Sequence, residues 1–250
     1  MKDVLGHGDS WLISLLYIGT FGSFIGFGFA FAQVLNIVFT AQLTGGATPT
    51  AAQTAAASLH AAQIAFVGPL LGSVSRIAGG KLADRIGGGR VTLWTFLAMV
   101  ASAGVLVAAG RADDATRGAA TSGQLAGLIT GFVLLFVLSG VGNGSVYKMI
   151  PSIFERKSRA LNGVSREQRT HWSRAMSGAL IGIAGAIGAL GGFLINLVLR
   201  QSYLTSKSAT TAFWIFLAFY VLAASITYVR YVRQSHGDLV EAPVEAPATS

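Results

Sequence analysis

Arg76 closes an otherwise uncharged run, FVGPLLGSVSR, and is the residue here with the clearest chemical use. A guanidinium is a planar fork of N–H donors that can hold a planar oxyanion through two parallel hydrogen bonds. If the run spans a membrane, Arg76 precedes Asp84 by eight residues and lies about 12 Å deep at 1.5 Å per residue. A charge at that depth costs at least about 2.5 kcal/mol and must face a cavity or a partner. None of the ten Asp and Glu falls in a spanning core, so a mobile anion is the natural counterion. The alternative is an arginine that snorkels to the interface or bonds backbone carbonyls.

Tyr17 and Phe21, four apart on one helix face, lie in the uncharged stretch LYIGTFGSFIGFGFAFAQVL. Rings with a polar edge suit a wall for a flat, weakly hydrated ion, although packing accounts for the pair taken alone. Asn143, in GVGNGS at 140–145, is an amide inside an apolar run and needs a partner; its NH2 suits an oxyanion. Gly182, Gly185, Gly188, Gly191 and Gly192 recur through GIAGAIGALGGF at three- and four-residue spacing. That spacing allows helix backbones to approach closely and leaves backbone groups open to a substrate. These glycines make no phosphate cradle, because no strand precedes them and no Lys-Ser or Lys-Thr follows in register. The four histidines show no metal-ligand spacing and cysteine is absent, so the sequence implies no metal, no cofactor and no enzyme.

The elements that position these residues are membrane helices. The 250 residues are 52% hydrophobic and 11% charged, against about 25% charged in soluble domains. A span needs about 20 mostly apolar residues. Six windows qualify, at 11–40, 59–82, 91–110, 123–150, 176–199 and 210–232, giving an all-α membrane protein of six transmembrane helices. Residues 1–10 read as a cytoplasmic segment, 11–232 as the bundle, and 233–250, rich in Pro and Ala, as a disordered tail. The first eleven residues are too polar for a cleaved signal, which makes the first window a true span. One side of the spans carries Lys2, Lys81, Arg85, Arg90, Arg156, Lys157, Arg159, Arg166, Arg169, Arg174, Arg230 and Arg233. The other carries Arg111, Arg117, Arg200 and Lys207, so the first side is cytoplasmic and holds both termini. The net charge of +8 therefore reflects topology, and no nucleic acid is implied. Residues 40–63 read as an extracytoplasmic linker, Gly68-Pro69 as a bend, and 155–175 as a cytoplasmic connection, helical in part.

GGKLADRIGGGR at 79–90 resembles the cytoplasmic loop motif of the major facilitator superfamily. With it, TFGSFIGFGFAF, FVGPLLGSVSR and GIAGAIGALGGF are similar, in that order, to helices seven, eight and eleven of the nitrate/nitrite porter (NarK-type) family. The resemblance covers nearly the whole chain but only the second of the family's two six-helix halves. It implies that Arg76 binds nitrate or nitrite and that Tyr17 and Phe21 line the site, with Gly182, Gly185 and Gly188 in the nitrate signature. Gly80, Asp84, Arg85, Gly87 and Arg90 fall in the loop motif and imply gating contacts, with Asp84 and Arg85 tuning turnover rather than affinity. Lys148 departs from the family, standing where a neutral residue is expected.

The expectation is therefore the carboxy-terminal half of a nitrate/nitrite transporter of a bacterial inner membrane, working by alternating access. Its partners are nitrate and nitrite, membrane lipid, and an N-terminal six-helix half, either fused or separately encoded. Proton symport needs a group titrating within the barrier, and no acid sits in a spanning core, which favours nitrate/nitrite antiport. The alternatives are a half-transporter for another small anion or solute, and a non-transporting truncated membrane protein.

Overall fold

Hydrocarbon offers no hydrogen-bond partner, so each apolar run must close its backbone bonds within itself as a helix. The computed structural model describes residues 2–116 and 119–233, and every regular element among them is helical. Six helices are long and apolar enough to cross a membrane: α1 (Gly8–Thr44), α2 (Ala51–Ile86), α3 (Gly88–Ala115), α4 (Ser122–Arg159), α5 (Arg166–Ser206) and α6 (Thr210–Arg233). A four-residue turn, Lys2–Leu5, precedes them. The expected tail lies outside the described residues apart from Arg233, which closes α6.

The helices outrun their apolar windows, most of all α5 at 41 residues and α4 at 38. Hydropathy reports only the part of a helix that suits lipid, whereas capping carries it on into water. Thr50 with Gln53, Thr121 with Gln124 and Ser165 with Gln168 each form a capping box that satisfies two orphan N–H groups. The expected linker over 40–63 is corrected accordingly, since α1 continues to Thr44 and α2 begins at Ala51. Near the expected bend the regular helix is interrupted at Phe66, which separates two segments of α2. Pro69 removes a helix N–H and its ring crowds the carbonyl four residues back, so the turn before it is broken. Across the connection expected at 155–175, only 160–165 departs from helix.

The core is aromatic. Phe27, Phe31, Phe132 and Phe213 are fully buried. Phe31 stacks on Phe132 at 5.0 Å, and Phe213 meets Phe132 edge-on at 5.8 Å, joining α1, α4 and α6. At one end of the bundle Asp9, 7% exposed, binds Lys157 Nζ at 2.8 Å and Arg230 Nε at 3.3 Å. The start of α1 and the ends of α4 and α6 are thereby tied on one side, as six crossings require. The apolar window 11–40 began just past this acid and so missed it.

Candidate functional site

Arg76 shares its face of α2 with Gly72, Ser73, Gly79 and Gly80, the positions three and four residues away. The exposed apolar stripe of the same helix, Leu70, Val74 and Ile77, points elsewhere. The glycine face lies directly on α4. A Cβ on Gly144 would overlap the carbonyl oxygen of Arg76, and one on Gly79 would overlap that of Val141, so the two backbones touch at this level. Three residues past Gly144, Tyr147 comes to lie beside the arginine, with the guanidinium carbon 5.9 Å from the ring centroid. The Arg76 guanidinium makes no hydrogen bond and no ion pair among the described residues.

Opposite, α1 widens into a π turn over Ile18–Gly22, a rare geometry that recurs at functional sites. Tyr17 immediately precedes the turn and Phe21 lies within it, and their rings stack at 5.2 Å with planes 27° apart. Both rings rest on bare backbone of α5, since a Cβ on Gly188 would sit 3.0 Å from Tyr17 Cδ1 and 3.2 Å from Phe21 Cδ1. Tyr17 is 5% exposed, and Arg76 and Tyr147 both lie close enough to act on its hydroxyl electrostatically.

Arg76, Tyr17, Phe21 and Gly188 are thus brought together, along with Tyr147, which sequence reasoning missed. Asn143, one turn before Tyr147, is 1% exposed, and its Oδ1 has no hydrogen-bond partner. Gly182 and Gly185 are not at the ring pair. No atom lies within 4 Å of a Cβ built on either, so they open onto an uncovered face of α5.

The loop-motif residues gather at the end of the bundle that holds Asp9. Gly87 ends α2 at φ 91°, a conformation that a side chain would strain. Lys148 reaches past Gly80, the nearest atom to a Cβ there being its Cε at 3.9 Å, and its Nζ meets Asp84 Oδ2 at 2.9 Å. Lys148 is therefore the partner of the motif acid. Both side chains are about half exposed, 47% and 55%, so the pair is worth no more than about 1 kcal/mol. Asp84, Gly87 and Arg90 line a polar cleft of about 520 Å³ with Arg156 and Tyr231, whereas Arg85 is exposed outside it. No group of three His, Asp or Glu that could hold a metal occurs among the described residues.

No family model matches the chain. It is 34% identical over 227 residues to the nitrate/nitrite transporter NarU of Salmonella typhimurium, a match covering 90% of this chain and 44% of that protein. The NarU of Escherichia coli is 33% identical over the same coverage. A probable nitrate/nitrite antiporter of Thermus thermophilus, NarK2, is 27% identical over 232 residues, again 44% of its length. The chain thus spans less than half the length of the curated relatives it matches. These relatives are named transporters, in agreement with the reading against an enzyme.

Proposed function

Because the chain belongs to the nitrate/nitrite porter family of the major facilitator superfamily and corresponds to its carboxy-terminal six-helix half, we propose that it supplies half of a nitrate and nitrite path through a bacterial inner membrane. The observation that carries this reading is Arg76, a guanidinium in a spanning helix with no acceptor among the described residues and an aromatic wall beside it. Such a cation in low dielectric attracts a small anion, and its fork matches the two oxygens shared by nitrate and nitrite. Tyr17 and Phe21 wall the site, Gly188 lets them sit against α5, and the Asn143 NH2 donates to the anion. Gly182 and Gly185 turn towards the N-terminal half, which completes the site at the interface between halves.

Transport proceeds by alternating access, the two halves rocking about the bound anion. The Lys148–Asp84 pair and the Gly87 turn sit where such rocking opens and closes the cytoplasmic side. Asp84 and Arg85 act on turnover, seen as a change in kcat at constant KM. Both termini are cytoplasmic, a topology supported by the basic side of the spans. Nitrate is exchanged for nitrite without a proton, since no acid lies in a spanning core of this half to carry one. The test is exchange in liposomes holding the complete transporter of which this chain is half. Internal nitrite should accelerate entry of labelled nitrate with no alkalinisation outside, and proton uptake stoichiometric with nitrate would overturn the antiport.

A further inference from the structure

The contact between Arg76 and Tyr147 has a property that an ion pair lacks. An aromatic face attracts a guanidinium through its quadrupole and accepts none of its hydrogen bonds in the plane of the fork. A carboxylate beside Arg76 would neutralise the charge, and a carbonyl or hydroxyl would occupy donors that an anion needs. Among the described residues the guanidinium has neither, and its fixed neighbour is the Tyr147 ring, 5.9 Å from centroid to Cζ.

The location of that ring is built into the backbone. Gly144 touches the Arg76 carbonyl, which fixes α4 against α2 at the level of the arginine. Tyr147 then stands one turn along α4, with Tyr17 across from it. Next to Tyr147 in sequence, Lys148 is turned to Asp84, so the second cation of this turn is held away from the site.

We propose that Tyr147 is a positioning residue for the anion. Its ring holds the Arg76 fork towards Tyr17 and away from the interface, leaving the donors free. This rests on the reading of Arg76 as the anion anchor. It adds that affinity for the anion depends on a ring face at position 147, and not on the Tyr147 hydroxyl.

The experiment compares Tyr147→Phe with Tyr147→Leu in the complete transporter. With the ring kept, KM for nitrate should stay within about twofold of the parent. With the ring lost, KM should rise about three- to thirtyfold while kcat changes little, the range expected for one cation–π contact. A Leu variant that folds and keeps the parent KM would overturn the proposal, and so would a Phe variant as impaired as the Leu variant. A second measurement needs no transport: modification of Arg76 by phenylglyoxal in membranes containing the full chain, mapped by mass spectrometry. Loss of the ring uncovers one face of the guanidinium, so Tyr147→Leu should speed modification severalfold and Tyr147→Phe should not. Equal rates in all three proteins would overturn the positioning role whether or not nitrate is the cargo. A parent transporter that moves no nitrate would instead sink the functional reading alone.

Discussion

At the scale of single residues, the candidate site is a set of polar groups whose surroundings leave them short of partners. Arg76 offers donors that nothing takes, and Asn143 holds a buried oxygen that nothing reaches. A buried polar atom without a partner costs about 1–3 kcal/mol, so Asn143 weighs against the stability of its helix. Asn143→Leu, close in volume, should therefore leave the melting temperature in detergent unchanged or raise it, while KM for nitrate rises about tenfold through loss of the NH2 donor. A variant that melts lower and transports as before would make Asn143 a structural residue. Arg76 was legible in the sequence because a charge in an apolar window is conspicuous. Tyr147 was not, because nothing in GVGNGSVYKMIP distinguishes a ring that meets a cation on another helix from one that packs in a core.

At the scale of elements, the site depends on where helices meet backbone to backbone. The crossing of α2 on α4 leaves no room for a methyl at Gly144, where it would meet both the Arg76 carbonyl and, at 2.8 Å, the Gly80 nitrogen. Backbone cannot rotate out of the way as a side chain can, so Gly144→Ala must push the helices apart. It should lower stability by about 1–3 kcal/mol and separate Tyr147 from Arg76. Gly182→Ala and Gly185→Ala meet nothing in this half and should leave its melting temperature unchanged, while slowing transport if, as proposed, this face of α5 meets the N-terminal half. Thermal melting of the purified chain and uptake by the complete transporter measure the two effects separately. The sequence showed that these glycines were spaced for close packing, but not which of them were packed. That depends on the rotation of each helix about its axis, on which hydropathy is silent. The π turn in α1 was equally hidden, since Ile18–Gly22 has the composition of its flanks.

At the scale of the whole molecule, the six crossings were plain in the sequence because lipid demands about 20 apolar residues of each. Their ends were not, because Thr50, Thr121 and Ser165 extend helices through hydrogen bonds and not hydropathy; the Thr/Ser-x-x-Gln spacing was the available signal. Asp9 was passed over as a polar leader residue, yet it joins three helix ends. Asp9→Asn removes the counter-charge that Lys157 and Arg230 share. That should cost about 1–3 kcal/mol in thermal melts, discounted because Lys157 and Arg230 keep 30% and 43% of their side-chain surface exposed. The central claim is that the anion path through the assembled transporter is anchored by Arg76, and labelled nitrate uptake by the complete protein with Arg76→Lys and Arg76→Gln tests it most directly. Lysine keeps the charge but loses the fork, so affinity should fall about ten- to a hundredfold, and glutamine should abolish uptake. Uptake by the glutamine variant equal to that of the parent, at equal amounts of folded protein in the membrane, would contradict the account.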